Sequence, residues 1–188
     1  ARVDAIGTPF GIPQDVSDVS NNGKTIMKES AEPTVVRLYK SPSVGLAKIV
    51  LDTTKKANGS YDITYQLLVK NNGSLTLNDV IIRDTLSKVF KAPATFSLVT
   101  APSKNTSSQL VINNAFNGTS DTRLTLAGST IEIAKTDTLW FTVNVKPDTL
   151  KTFSNIAVVS GSSILTSGTK ENVTELSNAG LNPDAPGS

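Results

Sequence analysis

Short apolar runs alternate with turn-forming residues from Gly45 onward. In residues 61–69 every second side chain (61, 63, 65, 67 and 69) is aromatic or aliphatic, which predicts a strand with one buried face. Similar runs occur at 46–51, 80–83, 96–100, 109–112, 123–126, 130–133, 138–145 and 155–160, whereas only 84–90 resembles a helix. This spacing predicts an all-β, Ig-like β-sandwich of roughly seven to nine strands. We expect the single tryptophan, Trp140, to anchor the core between the two sheets.

Two segments of the chain resemble each other. The sequence VSDVSNNG at 16–23 is similar to VTELSNAG at 173–180, and a strand-like run precedes each, at 1–5 and at 157–161. The match predicts a last-strand-like segment with its linker at 1–32, one sandwich repeat at 33–161 and a linker to a next repeat at 162–188. Alternatively, the first segment donates a strand to a neighbouring subunit.

Composition restricts the function. The chain has 188 residues, a formal net charge of +2, and neither His nor Cys. The usual ligands of zinc, copper and haem are therefore missing, as are the commonest nucleophile and base at neutral pH. The charge pattern shows no basic stripe for nucleic acid and the sequence has no apolar run long enough to span a bilayer. Together with the abundance of Ser, Thr and Asn, this predicts an extracellular, non-enzymatic module that requires no cofactor.

Three polar residues fall on strand faces that are otherwise apolar. Lys48 shares its face with Leu46 and Val50, Asp84 shares its face with residues 80 and 82, and Asn155 shares its face with residues 153, 157 and 159. Burying an amine or a carboxylate is costly unless the group pairs or changes protonation state. One interpretation is that Lys48 reaches solvent or forms a salt bridge with Asp84, while Asn155 caps a turn.

A second interpretation removes both charges. Burial favours a neutral Lys48 amine, which can attack the carboxamide carbon of Asn155, and a protonated Asp84, which can polarise the amide and pass a proton to the departing ammonia. The product is an intramolecular isopeptide bond, expected to join the first strand to the last.

Four short motifs resemble one known module. GLAK at 45–48, YDITY at 61–65 with NNG at 71–73, IRDTL at 82–86 and NIAV at 155–158 are similar to an Ig-like tandem repeat of unknown function in bacterial, Bacteroidetes-type surface adhesins and filaments. The family usually has Pro where this chain has Ser87. Related surface domains carry Lys–Asn isopeptide bonds assisted by an Asp. The resemblance thus implies that Lys48 is the nucleophile, Asn155 the electrophile and Asp84 the acid.

The segments expected to be linkers are rich in oxygen ligands. Calcium takes six to eight oxygens from carboxylates, amides and carbonyls, so a stiffening calcium ion at these joints is a hypothesis, although an EF-hand spacing is absent. Its candidate ligands are Asp15, Asp18, Asn21, Asn22, Glu32, Glu175, Asn178, Asn182 and Asp184.

The sequence therefore predicts a structural spacer of an extracellular bacterial adhesin or filament, whose partners are neighbouring repeats or subunits. The alternative is a module that binds a surface carbohydrate or a host protein through sandwich-end loops, with residues 103–108 and 113–120 as the candidate loops.

Overall fold

A computed structural model describes the backbone of residues 2–7, 14–19, 41–149 and 152–183, and the side chains of the last two ranges. The chain divides into two compact units, Ala1–Tyr39 and Lys40–Ser188.

The first unit contains a β-hairpin. Strand β1 (Arg2–Gly7) pairs antiparallel with β2 (Gln14–Val19), from Arg2 opposite Val19 to Gly7 opposite Gln14. Residues 14–19 were expected to belong to a linker without strand structure. The structure differs because their backbone pairs along its whole length with β1.

The described part of the second unit is an all-β sandwich of eight strands, as the sequence predicts. Its elements are β3 (Val44–Lys55), β4 (Tyr61–Asn71), β5 (Asn78–Asp84), the short helix α1 (Leu86–Val89), β6 (Thr95–Lys104), β7 (Thr136–Lys146), β8 (Ala157–Ile164), β9 (Lys170–Leu176) and β10 (Asn178–Ala179). A five-stranded sheet has the order β10-β3-β4-β7-β6, and a three-stranded sheet has the order β5-β8-β9.

The core lies between the two sheets, and strand parity decides which side chains enter it. On β4 and β7, alternate residues such as Leu67 and Leu139 are fully buried and lie opposite each other. Val80 and Ile82 of β5 and Val159 of β8 are equally buried in the same cluster. Removing this apolar surface from water drives the sheets together.

Three short runs that were expected to be strands, at 109–112, 123–126 and 130–133, form only isolated bridges. Leu110, Leu124 and Ile131 from these runs are nevertheless buried in the core. The long connection between β6 and β7 therefore contributes apolar side chains to the core without forming a strand of its own. Its backbone also bonds to the edge of β5, where the Leu124 N–H donates to the Ile82 carbonyl at 2.7 Å.

Trp140 does not anchor the core, so that prediction is wrong. The side chains on either side of it, Leu139 and Phe141, are 0% and 1% exposed, whereas Trp140 is partly exposed and is absent from the core cluster. Trp140 shares its face of β7 with Thr138 and Thr142, which are only partly buried. The alternation of the strand, paired in register with β4, turns Leu139 and Phe141 inward instead.

The carboxyl-terminal part of the described chain also differs from the linker expected at 162–188. Strand β9 pairs antiparallel with β8 along seven residue pairs, and the two-residue β10 crosses to the other sheet and pairs parallel with β3 at Ala47 and Lys48. Residues 178–183, called here the carboxyl-terminal strap, are therefore part of the sandwich.

The two similar segments of the sequence adopt the same pairing. In the first hairpin Arg2 lies opposite Val19, and in the hairpin of β8 and β9 the corresponding residues Val158 and Leu176 lie opposite each other. The equivalence continues to Ala5 opposite Val16, which corresponds to residue 161 opposite residue 173. The internal similarity is thus a similarity of paired strands and of their register.

Candidate functional site

Lys48 lies inside the sandwich. It follows Leu46 by two residues on β3, so the alternation of the strand directs both side chains to the core face, and Lys48 is only 6% exposed. On its outer edge the strap pairs with the Lys48 backbone, where Gly180 donates its N–H to the Lys48 carbonyl at 3.3 Å. The lysine is therefore enclosed both by the core and by the last described segment of the chain.

Asp84 is the partner of Lys48. It is the last residue of β5, shares the parity of Val80 and Ile82, and is fully buried. The Lys48 Nζ donates a hydrogen bond to Asp84 Oδ2, which joins a strand of the five-stranded sheet to a strand of the three-stranded sheet. Lys48 therefore does not reach solvent, but its contact with Asp84 is the salt bridge that the first interpretation named as its alternative.

Asn155 reaches the same carboxylate oxygen. The pairing of β5 with β8 places Asp84 opposite Ala157, two residues after Asn155. Asn155 Nδ2 then donates to Asp84 Oδ2 over 3.3 Å. All three residues chosen from sequence parity are therefore in one cluster, in which the amine and the carboxamide converge on a single oxygen atom.

Two aromatic rings complete the surroundings of the amine. The Lys48 Nζ lies 4.3 Å from the centre of the Tyr65 ring and 5.8 Å from that of Phe141, and the two rings pack at 5.3 Å. Tyr65 is itself only 5% exposed, and its burial raises the pKa of its hydroxyl. The sequence analysis did not assign Tyr65 to the site, although its inward parity on β4 was visible in the alternating run at 61–69.

Burial dominates the electrostatics of the pair. It lowers the pKa of Lys48, against the opposing attraction of Asp84, and it raises the pKa of Asp84, against the opposing effects of Lys48 and Asn155. Both shifts favour the uncharged amine and the uncharged carboxylic acid. A neutral amine is nucleophilic and a neutral acid can donate a proton, so the environment favours the reactive protonation states of both groups.

Two buried oxygens of the cluster, Asp84 Oδ1 and Asn155 Oδ1, have no hydrogen-bond partner among the described residues. An unsatisfied buried acceptor costs free energy, and such atoms are rare in stable proteins. The cluster is therefore not a fully satisfied polar network. Its unpaired atoms belong to the acid and to the amide carbonyl, the two groups that change their bonding if the amine attacks.

Only three of the calcium ligand candidates, Glu175, Asn178 and Asn182, have side chains that the structure describes. Glu175 lies on β9 and accepts a hydrogen bond from the next backbone N–H, Asn178 begins β10, and Asn182 lies in the strap. Within the described residues no three acidic, His or Cys side chains form a group suited to a metal. Asp15 and Asp18 lie on β2, where only the backbone is described, and Asn21, Asn22, Glu32 and Asp184 lie outside the described residues.

The loops proposed for ligand binding use their polar groups internally. Asn117 Oδ1 accepts hydrogen bonds from the backbone N–H groups of residues 119, 120 and 121. Asn105 Oδ1 likewise accepts from the Thr138 N–H. Asn117 thus stabilises the turn that contains it, and Asn105 connects its loop to β7.

No protein-family model matches the chain, and no curated protein sequence matches it. Among the described residues, no helix has the length and apolar character needed to cross a membrane.

Proposed function

We propose that this chain is a non-catalytic structural repeat of an extracellular bacterial adhesin or filament, stiffened by an intramolecular isopeptide bond between Lys48 and Asn155. The observation that carries the proposal is the convergence of the Lys48 amine and the Asn155 amide on buried Asp84. A buried ion pair alone would add little to the free energy of unfolding, since apolar residues of similar volume often stabilise a core equally well.

The reaction needs no further reagent. The neutral Lys48 Nζ attacks Cγ of Asn155, and a new C–N bond forms while the C=O electrons move onto Oδ1. Asp84 transfers a proton to Nδ2 and recovers one from Nζ, the C=O bond forms again, and the C–N bond to Nδ2 breaks with release of ammonia. Asp84 ends in the state in which it began.

The proposed bond connects the two sheets. Lys48 belongs to β3, the first strand of the sandwich, and Asn155 immediately precedes β8, which is followed by β9 and β10. The bond thus would not reach the last strand, contrary to the expectation from sequence. It would instead close the chain between 48 and 155 and leave the hairpin of β8 and β9 and the strap outside the closed loop.

The repeat assignment is supported by the first hairpin. Its register is that of β8 and β9, so we propose that it corresponds to the last hairpin of a preceding repeat. In the sandwich, the other edge of β8 pairs with β5. A hairpin that belongs to a preceding repeat would pair in the same way with the equivalent of β5 in that repeat. Arrays of this kind repeat one structural unit along the chain.

Intact-mass spectrometry of the denatured protein tests the bond. We expect a mass below that of the sequence by one ammonia molecule, and a tryptic peptide in which Lys48 is joined to Asn155. The variants Lys48→Met and Asn155→Ala should each have full sequence mass. Lys135→Met, at an exposed lysine outside the cluster, should show the same ammonia loss as the wild type. A wild-type chain of full sequence mass would refute the bond.

A further inference from the structure

Trp140 lies on the outer face of the five-stranded sheet, in a row of side chains that crosses four strands. The row consists of Ile49 of β3, Gln66 of β4, Trp140 of β7 and Ser103 of β6. Its side chains point away from the core, because the buried residues of β7 are those on either side of Trp140, at 139 and 141. The single tryptophan of the chain is therefore placed on a surface of the sandwich.

Two side chains of this row have hydrogen-bonding groups that no described residue uses. The indole N–H of Trp140 and the amide of Gln66 make no hydrogen bond within the described part of the chain, and neither group is enclosed. The two residues lie directly opposite each other on neighbouring strands, which brings their β-carbons to about 4.5–5.5 Å. A flat aromatic ring, an N–H donor and an amide that both donates and accepts are thus presented side by side.

The surroundings of this pair are uncharged. The four nearest side chains in the adjacent rows of β4 and β7 are neutral: Thr64, Leu68, Thr138 and Thr142. Charged side chains of both signs lie further out, with Asp52 and Asp62 towards one end of the face and Lys70 towards the other. Because the centre is neutral and the rim carries both signs, the ligand that complements this face is itself uncharged.

From this arrangement we propose that the outer face around Trp140 is a binding site for a neutral carbohydrate, which stacks one pyranose ring on the indole. One face of a pyranose presents C–H groups, and its edge carries hydroxyls. The polarised C–H groups are attracted to the negative face of the indole, while the hydroxyls exchange hydrogen bonds with the Gln66 amide and accept one from the indole N–H. This binding activity goes beyond the spacer function and does not depend on the Lys48–Asn155 bond.

The sheet holds the site in place before a ligand arrives. Strand β7 is paired on both sides, with β4 and with β6, so the backbone beneath Trp140 is fixed and little ordering remains for the ligand to impose. Tryptophan also favours strands for packing reasons alone. In that case the ring would only cover its neighbours, and the indole N–H and the Gln66 amide would serve no ligand.

Tryptophan fluorescence reads this site directly, because the chain has one tryptophan. The full chain is titrated with three neutral probes that present galactose, glucose or mannose (lactose, cellotetraose and mannotriose), and with sialyllactose as the anionic comparison. We expect a saturable change in emission with at least one neutral probe. Because Trp140→Ala removes the fluorophore, saturation-transfer NMR compares the variants, and circular dichroism verifies that each one folds.

We expect Trp140→Ala to lose the binding and Gln66→Ala to weaken it about 2- to 10-fold, the contribution of one hydrogen bond. The matched control is Ile164→Ala, which removes a 54% exposed apolar side chain from the other sheet and should bind as the wild type does.

The remaining outcomes would overturn the inference. No response to any of the three neutral probes would refute the site, and so would binding that Trp140→Ala retains. Tighter binding of sialyllactose than of lactose would contradict a neutral ligand. A loss of thermal stability in Trp140→Ala, without glycan binding by the wild type, would assign the ring a packing role only. The mass of the denatured chain reports the isopeptide bond separately, so failure of one proposal is distinguishable from failure of the other.

Discussion

The carbonyl oxygen of Pro183 lies directly over Gly45, so close that a β-carbon built on this glycine would be 1.5 Å from it. Asn72 holds the same carbonyl with its side-chain Nδ2 at 3.2 Å. Only the absence of a side chain at position 45 lets the strap approach β3 in this way. The glycine of the 45–48 motif therefore has a specific purpose, which is to seat the end of the sandwich against its first strand.

Gly45→Ala should release the strap. The new methyl group would meet backbone atoms of residue 183, which cannot rotate away as a flexible side chain can. We expect faster hydrogen exchange at the Gly180 N–H, which bonds to the Lys48 carbonyl, and unchanged exchange in β7. Gly59→Ala controls for a general loss of stability, because its φ of +81° disfavours a side chain while no atom lies within 4 Å of the added carbon. Slow exchange at Gly180 in Gly45→Ala would contradict this explanation.

The strap also brings both ends of the described sandwich to one turn. Ser41 and Ser43 accept backbone hydrogen bonds from residues 74 and 72, and Pro183 accepts from the side chain of residue 72. The chain thus enters and leaves this unit at the same end. Tension applied through the two ends would load β3 and the strap first, next to Lys48.

When the chain is pulled from its two ends, the bond should therefore reduce the contour length of the unfolded protein. Residues between 48 and 155 cannot extend if the two side chains are joined, so the fully stretched wild type should be about 370 Å shorter than Lys48→Met. The first unit and the segments outside the loop contribute equally to both proteins and cancel in the difference. Optical-tweezers contour lengths measure it, with Lys135→Met expected to match the wild type. Equal lengths for wild type and Lys48→Met would be incompatible with the bond.

Closing a loop of this size should also stabilise the fold. The chain-entropy estimate for a loop of about 100 residues is about 4.7 kcal/mol. Asn155→Ala should lower the free energy of unfolding by about this amount, and the melting temperature by about 10–20 °C, as followed by circular dichroism. Lys48→Met should cost a similar amount, and the double variant should cost little more than either, because both changes remove the same bond. Additive losses would indicate two independent contacts instead.

The sequence predicted the cluster better than it predicted the end of the sandwich. Lys48, Asp84 and Asn155 interrupt apolar faces, and such an interruption is visible from parity alone. Strand β9 has a different pattern, since its side chains are exposed or only partly buried throughout, and β10 joins the sheet through the backbone of two residues. Neither strand therefore has the alternation of apolar and polar residues from which a strand can be predicted. Trp140 was assigned to the core from its residue type, against the alternation of its own strand. Its face of β7 also carries Thr138 and Thr142, whereas the apolar side chains at 139, 141, 143 and 145 lie on the other, buried face.

The protonation of the pair can be tested in Asn155→Ala, which retains both titrating groups and cannot form the bond. Burial raises the pKa of Asp84, so as the pH rises through 3.8 the unfolded chain releases a proton that the folded chain keeps, and the folded state loses stability. Burial lowers the pKa of Lys48, so as the pH rises toward 10.5 the unfolded chain holds a proton that the folded chain has released, and the folded state regains stability.

The reference protein for this measurement is Asn155→Ala combined with Lys48→Met and Asp84→Asn. Carboxylates elsewhere, such as Asp62 with its lowered pKa, contribute equally to both proteins and cancel in the difference. Urea unfolding from pH 3 to pH 10 should give a difference in unfolding free energy that falls, passes through a minimum near neutral pH and rises again. A difference that increases from pH 3 to pH 5 would mean that the folded protein holds Asp84 as an ordinary ion-paired carboxylate, poorly prepared to act as the acid.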